Sequence, residues 1–461
     1  MDAGWKTERT YARWISYVEA ALAKAYDLWE RLNSRLLTYG GVNSVYCKIT
    51  KCRVCGNTEL IAVVDLGEQY LTGVFPRQDS ANTLTKGPLR LVKCNGGGEV
   101  CGLLQLEHSY DLGEMYGENY GYRSGLNASM VRHLREKVAR ICGTTALQSG
   151  DLVVDIGSND GTTLGAYPSD LLLVGIDPTG EKFRRYYSSH LKLIPEFFSA
   201  GLLTKAFPGR KAKVVTSFSM FYDLESPTDF ARDVASILDP KDGIWVLEQS
   251  YMPLMLERNA YDTICHEHLE YYGLKQIAWI AERAGLKIVD VELNDINGGS
   301  LSVVVAHRAS RHADGRGSVV RMLADEETAG LSGLAPYHAF FNRVEQNRRL
   351  LREFVARVHG EGKRLCGLGA STKGNVVLQY CGFSSRDIDV IGDVNPDKFG
   401  ALTPGTWIPI DDEAKVLALS PDYLLVLPWH FRDFFLRNPA FAGRQLVFPL
   451  PQLEVVRAGS R

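Results

Sequence analysis

Leu152-Val153-Val154-Asp155-Ile156-Gly157-Ser158-Asn159-Asp160-Gly161-Thr162 is the stretch that decides the fold. An apolar strand runs into a loop whose glycines let backbone approach a ligand closely. The spacing is Asp-x-Gly-x-x-x-Gly rather than Gly-x-Gly-x-x-Gly. A dinucleotide needs its pyrophosphate over a helix amino terminus. S-adenosylmethionine has no phosphate, so its loop presents acids and amides to the methionine part, and Asp155, Gly157, Ser158, Asn159, Asp160 and Gly161 are the expected contacts. About one strand later, Gly175-Ile176-Asp177-Pro178 sets the Asp177 carboxylate at a strand end, placed to accept hydrogen bonds from both ribose hydroxyls. Phe198-Ser199 follows the next strand as a candidate adenine contact, with plain core packing of Phe198 an equal alternative. The loop alone could be a strand–helix turn; Asp177 in register argues for the cofactor.

Outward from this loop the pattern alternates. A helix is expected over 126–142 and strands over 152–156, 171–176, 213–217, 243–247 and 301–306, with helical segments between them. Such βαβ order implies a mostly parallel, doubly wound sheet. Residues 308–334 read as a surface connector and 336–360 as a long helix. A second, smaller α/β alternation begins at Leu365-Cys366-Gly367-Leu368-Gly369, with a helix at Asn375 and strands near 388–392, 422–427 and 446–449. Upstream, apolar residues at helical spacing from Tyr11 to Leu36 predict a docking or dimer-forming helix that Gly40-Gly41 stops. The expected parts are a helical extension over 1–46, a cysteine-bearing domain over 47–110, a cofactor domain over 111–307 and a substrate-binding α/β domain over 308–461. The fold class is therefore α/β.

Composition narrows the partners. Hydrophobic residues make up 45% of the 461 positions and charged residues 23%, an ordinary globular balance. The formal net charge is −2, with Lys and Arg spread along the chain. A nucleic-acid partner would want a concentrated positive stripe, so none is expected. No apolar core follows the first charges, and no apolar run approaches the roughly 18 residues of a membrane span. A cytoplasmic enzyme, monomeric or homodimeric, is the expectation.

The nine cysteines suit thiols better than a disulfide scaffold. Cys52-x-x-Cys55-Gly56 places two thiolates on one side of a tight loop, and Cys94 and Cys101 supply two more across a glycine-rich segment. Four such ligands close a structural zinc site. The competing readings are a redox pair, which would normally open a helix, and merely buried thiols. Cys47 is a spare thiol.

Asp262-Thr263-Ile264-Cys265-His266-Glu267-His268-Leu269-Glu270-Tyr271-Tyr272 is the densest titratable cluster. An extended segment would put His266 and His268 on one side and Glu267 opposite; a turn would gather all three. The histidines are not four apart, as a zinc-protease helix requires. General acid–base work fits best, since imidazole titrates near working pH; a metal site or structural histidines are the alternatives.

The cysteine knuckle, Asp155-x-Gly157-x-x-Asp160-Gly161, Asp262-Thr-Ile-x-His266-Glu267-His268 and Gly367-Leu-Gly-Ala-Ser-Thr-Lys373-Gly-Asn375, in this order, resemble the deoxysugar C-methyltransferase family. The similarity spans roughly residues 47–455. It implies a zinc domain, a class I methyltransferase domain with a Rossmann-like fold and a carboxyl-terminal Rossmann-like α/β domain. The implied substrate is a nucleotide-linked 4-keto-6-deoxy sugar, in pathways serving antibiotics and cell surfaces. A tyrosine from the family's linker reaches the active site, which Tyr120-Gly-Tyr122-Arg123-Ser124 matches. The family's glutamate and second histidine carry over to Glu267 and His268, the histidine being its favoured base. Two positions depart from the pattern: Cys265 stands where a tyrosine is usual, and a family histidine falls near Phe221. Both suggest a divergent branch.

Methyl transfer to carbon needs a nucleophilic carbon, which an enolate beside a ketone supplies. In this reading His268 takes the proton, Glu267 orients the imidazole, and Tyr122 or His266 stabilises the enolate oxygen. Lys373 at a glycine turn opening a helix suits a diphosphate, and Asn375, Asp393, Lys398 and Trp429-His430 could line the same crevice, with Tyr120 on the substrate side. Three rivals stand beside it: an O- or N-methyltransferase, a nicotinamide oxidoreductase using Gly367-x-Gly369, and a non-enzymatic zinc-ribbon module on a dead methyltransferase fold.

Overall fold

The computed structural model describes residues 46–77, 84–97, 100–115 and 122–459. The helix expected over 11–37 and Tyr120 lie outside the described residues. The chain divides into two compact units, Met1–Cys47 and Lys48–Arg461. Of the first, only Tyr46 and Cys47 are described, in extended conformation. The elements below belong to the second. Among the described residues no helix is long and apolar enough to cross a membrane.

Two long strands, β1 (Leu60–Tyr70) and β2 (Lys86–Cys94), pair antiparallel, and β3 (Leu104–Leu106) extends them. The β2 strand is buried along most of its length, with Leu89, Leu91 and Val92 at 1% exposure or less. Helix α1 (Ala128–Thr144) follows, capped by Asn127, whose side chain accepts from the Ser129 and Met130 amides.

The loop quoted at the outset then joins β4 (Leu152–Ile156) to the next parallel strands, β5 (Leu172–Ile176), β6 (Leu191–Ile194) and β7 (Ala212–Phe218). Helix α2 (Pro227–Ile237) leads to β8 (Ile244–Ser250). After a short strand, β9 (Glu270–Tyr271), helix α3 (Leu274–Arg283) precedes the antiparallel pair β10 (Leu286–Asn294) and β11 (Ser300–His307). The resulting sheet has the order β10-β11-β8-β7-β4-β5-β6. All five residues of β4 are buried, as a strand covered on both faces must be. The sequence reading missed β6, a four-residue edge strand, and β10.

Strand β9 does not join that sheet. It pairs with β3, giving the zinc-side sheet the order β9-β3-β2-β1. The fourth strand of the cysteine-bearing layer is thus contributed by chain that directly follows His266-Glu267-His268. A local reading of Glu270-Tyr271 carries no sign of this, because the partner strand lies some 165 residues away.

Residues 308–334, expected as a surface connector, contain helix α4 (Arg316–Thr328). Val319, Met322 and Leu323 pack from it against the methyltransferase core. Helix α5 (Ala335–Gly360) buries Tyr337, Phe340, Val344, Leu351, Phe354 and Val358 along one stripe. A third sheet follows, built from β12 (Leu365–Leu368), helix α6 (Thr372–Cys381), β13 (Ile391–Asp393), β14 (Ile410–Asp412), β15 (Tyr423–Val426), β16 (Gln445–Phe448) and β17 (Glu454–Arg457), in the order β14-β13-β12-β15-β16-β17. Both large sheets reverse direction of winding beside their first strand, between β4 and β7 in one and between β12 and β15 in the other. Open α/β sheets bind ligands at the carboxyl ends of such strand pairs.

Candidate active site and metal centre

The Sγ atoms of Cys52, Cys55, Cys94 and Cys101 lie within 4.8 Å of one another, with Cys52–Cys101 and Cys55–Cys94 each at 3.5 Å. Zn–S bonds of about 2.3 Å in a tetrahedron put sulfurs about 3.8 Å apart, so the four residues fit a closed zinc site. Gly56, at φ +75°, turns the knuckle, and its amide donates to the Cys52 carbonyl. Cys52, Cys94 and Cys101 belong to the same apolar cluster as Leu247, Tyr272 and Ile277 of the methyltransferase layer. Arg53, between the knuckle cysteines, donates to the Leu106 carbonyl, Ser109 and Glu225 and so pins the two layers together.

In the loop after β4, Gly157, Asn159 and Gly161 all take positive φ, at 75°, 49° and 77°. A Cβ on Gly157 would meet the Met220 side chain at 3.0 Å. Asp155 is 2% exposed and accepts from Thr216 on the neighbouring strand; burial pushes its carboxyl up to about 7. It therefore braces the loop from beneath. Asp177 holds the loop from the side, accepting the Asn159 amide at 2.7 Å and Thr179 through its other oxygen. Ser158 and the Asn159 carbonyl meet the Tyr187 hydroxyl. Phe198 stands edge-on to Phe230 with ring centres 5.2 Å apart, and Ser199 caps the short helix Ala200–Ala206.

The loop also grips the linker that follows the zinc layer. Asn159 accepts the Ser124 amide through Oδ1 and donates to the Tyr122 carbonyl through Nδ2, while Asp160 accepts the Gly125 amide. Tyr122 is thereby held over the cofactor loop with 48% of its surface exposed. Arg123 lies over the Tyr186 ring, 4.1 Å from its centre.

The His-Glu-His segment is a turn, closed by the His268 amide on the Cys265 carbonyl at 3.2 Å, yet it does not gather the three side chains. His266 is fully buried edge-on to Tyr110, at 4.6 Å between ring centres, and hydrogen-bonds the backbone of Gln69 and Gly87 in the zinc-side sheet. Burial lowers its pKa to about 3. His266 thus faces Tyr110 and the zinc-side sheet. Glu267 turns to the zinc layer. Its Oε2 accepts from Thr72, and a Cβ on Gly73 would fall 2.1 Å from Oε1. Burial raises its carboxyl above the usual range.

His268 is the partly accessible member of the trio. Its Nδ1 is 2.8 Å from the Thr263 carbonyl, and its ring packs on Tyr222 at 4.2 Å between centres. A carbonyl only accepts, so Nδ1 carries the proton and Nε2 is left as the basic nitrogen. Burial, helped by the Lys373 charge, lowers its pKa to about 3. The imidazole is held by the Thr263 carbonyl, while the turn carries the Glu267 side chain to the opposite layer. Phe221 is buried against Trp245 and Tyr272; it is its neighbour Tyr222 that faces the imidazole. Cys265 is completely buried.

Across the seam stands the third sheet. Asn375, fully buried, donates to the Thr72 carbonyl at 2.7 Å, a contact between layers. Lys398 donates to the Ala370 carbonyl and lies 3.6 Å from Asp393 at the end of β13. Lys373 donates to the Asn297 carbonyl at 2.7 Å, and Trp429 donates through its indole N–H to Asp262 at 2.8 Å. His430 follows Trp429, half-buried, its Nδ1 without a partner. No local signal marked Thr72, Gly73, Tyr222 or the Thr263 carbonyl, since each acts through a contact distant in sequence or through backbone.

Comparison with known proteins accords with this layout. A family model described as "Putative zinc binding domain" matches residues 52–116. Those described as "Methyltransferase domain" and "C-methyltransferase C-terminal domain" match 126–291 and 295–451. C-methyltransferase NovU of Streptomyces niveus is 32% identical over 418 residues, which cover 89% of this chain and 98% of that protein. Among solved structures, an S-adenosylmethionine-dependent methyltransferase from Clostridium acetobutylicum aligns with 38% of this chain and 92% of its own at 13% identity and a TM-score of 0.30. Magnesium protoporphyrin IX methyltransferase from Synechocystis with bound SAH aligns with 42% and 91% at 16% identity and a TM-score of 0.31. The oxidoreductase and non-enzymatic readings give way to these findings.

Proposed function

The chain belongs to the deoxysugar C-methyltransferase family, and from that premise we propose that it methylates a carbon next to the ketone of a nucleotide-linked 4-keto-6-deoxy sugar, with His268 as the base. The enzyme is S-adenosylmethionine-dependent and carries a structural zinc.

When bound, S-adenosylmethionine supplies a sulfonium methyl group as electrophile. Gly157, Ser158, Asn159, Asp160 and Gly161 form its loop, Asp177 serves the ribose, and Phe198 and Ser199 stand beyond the following strand. Asp155 supports the loop from below. The acceptor carbon must lose a proton before it can attack. His268 fits that task through one observation: its Nδ1–H is committed to the Thr263 carbonyl, which presents Nε2 as an unprotonated acceptor. A positioned base contributes about 10²–10⁴-fold. Tyr222 fixes the ring plane, and Glu267, anchored at Thr72 and Gly73, holds the turn against the zinc layer. Tyr122 comes from the linker clamped on the cofactor loop. The nucleotide lies at the switch point of the third sheet, with Asp393 and Lys398 beside it. Zinc takes no part in bond making; its sheet supplies Thr72 and pairs with β9 just after the base.

The test is incubation with labelled S-adenosylmethionine and a panel of nucleotide-linked keto sugars, followed by mass and position of the added methyl. The expected product carries it on carbon. His268→Ala should bind the cofactor as the wild type does and lose about 10²–10⁴-fold in kcat. Full turnover by that variant, or methyl on oxygen, overturns the reading.

A further inference from the structure

Enolate formation moves negative charge onto the carbonyl oxygen, and a donor must meet it there. His266 is sealed against Tyr110. Lys373 is placed differently from a phosphate ligand. It sits in the first turn of α6, half-buried, and its ammonium points away from its own domain to the Asn297 carbonyl of the methyltransferase layer. The Asn297 side chain in turn reaches Ser219, at the end of β7 beside the cofactor loop, at 3.5 Å. Next to Asn297, a Cβ on Gly298 would touch Trp429 and His430 at 3.6 and 3.8 Å. The two strand-end clefts therefore meet across this loop, with Lys373 at the junction.

Beneath the junction lies Asp262, 1% exposed. One of its oxygens takes the Trp429 indole N–H, and the backbone of Asp262 itself and of Thr263 also hydrogen-bonds the carboxylate. Among the described residues, His430 Nδ1 is buried without a hydrogen-bond partner. Trp429 thereby ties the loop that Lys373 touches to Asp262, one residue before the Thr263 carbonyl that holds His268. Burial, helped by the Lys373 charge, lowers the pKa of both His268 and His430. Among the described residues, the Asn297 carbonyl takes one of the three N–H donors of Lys373.

We propose that Lys373 is a catalytic residue that donates to the carbonyl oxygen of the keto sugar and stabilises the enolate, with Asp262 balancing the lysine's charge in the resting enzyme. The proposal rests on the keto-sugar reading above. His268 Nε2 takes the proton from the carbon beside the carbonyl, and the C–H electron pair moves into the C–C bond as the carbonyl π pair moves onto oxygen. Lys373 keeps its own proton and lends a hydrogen bond. The carbon then forms its bond to the methyl group, the sulfur leaves as a neutral thioether, the C=O bond is restored, and His268 returns its proton to water.

The experiment follows exchange of the hydrogen beside the ketone in D₂O with S-adenosylhomocysteine present, which isolates proton removal from methyl transfer. The full-length wild type should exchange it. Lys373→Met should slow exchange by about 10²–10³-fold, with affinities for the nucleotide-linked sugar, the free nucleoside diphosphate and S-adenosylmethionine each within about threefold. Lys373→Gln, which can still donate to the Asn297 carbonyl, should show the same loss and guards against a folding artefact. Exchange at the wild-type rate in both variants overturns the assignment and leaves the keto-sugar reading intact. Loss of affinity for the free nucleoside diphosphate by more than about tenfold assigns Lys373 to the diphosphate and likewise overturns it. A wild type that exchanges none of the keto sugars removes the substrate reading and this proposal together.

Discussion

The carbonyl oxygen of Thr263 stands 2.8 Å from Nδ1 of His268. Five residues apart, these two groups settle which nitrogen of the proposed base is free, and a backbone acceptor does so without adding a charge. A carboxylate in that place would raise the imidazole pKa; a carbonyl in a buried setting leaves it low.

The pH dependence follows. With its pKa lowered to about 3, His268 keeps its neutral, base-competent form as pH falls through the ordinary histidine range near 6.5. The acid limb of kcat/KM should therefore lie below that range. ¹⁵N spectra of histidine-labelled enzyme, assigned with His268→Asn, should show an Nδ1–H tautomer that stays neutral at pH 6. An imidazolium signal at that pH would refute the assignment.

Gly73 carries a second prediction. A methyl group there would sit 2.1 Å from Glu267 Oε1, and the buried glutamate has little room to retreat. Gly73→Ala should destabilise the fold by about 1–3 kcal/mol, as overpacking does. It should also cut kcat about tenfold or more, with cofactor affinity unchanged, because the His268 turn moves with Glu267. Unaltered kcat would mean that the zinc layer does not position the base.

Asn159 joins cofactor loop to linker through both ends of its amide. Asn159→Gly removes the amide while suiting the backbone at φ 49°. We expect faster proteolysis near residues 122–126 and a fall in kcat/KM of about tenfold, with a change in global stability under about 2 kcal/mol. A cleavage rate equal to that of the wild type would show that the linker is held by other means.

Zinc removal should reach further than its own site. Three of its four ligands lie in the core shared with α3 and β8, and structural zinc contributes folding energy directly. The wild type should hold about one zinc per chain. Cys94→Ser should lower that occupancy, depress Tm and abolish turnover, since the zinc-side sheet pairs with β9 and supplies Thr72 to Glu267. A chelated enzyme with unchanged Tm would contradict this coupling.

Much of the fold was legible because local chemistry specifies it. The run from Leu152 to Gly161 declares a buried strand and a close-approach loop, and Cys52-x-x-Cys55-Gly56 declares a knuckle whose glycine does take positive φ. Parallel strands announced themselves by apolar runs, whereas β6 and β10, half-covered edge strands, did not. For the same reason α4, with three apolar contacts on a polar helix, passed as a connector.

What the sequence by itself determined is the set of parts: three layers, four thiols, a glycine loop and a cluster of titratable groups. Tertiary structure alone decided how that cluster is divided. Adjacent residues of one turn face different layers, so His266 meets Tyr110, Glu267 meets Thr72 and Gly73, and His268 meets its own backbone and Tyr222. The reason is physical. Imidazole and carboxyl groups take their tautomer, charge and reach from whatever surrounds them after burial, and those neighbours come from chain tens to hundreds of residues away.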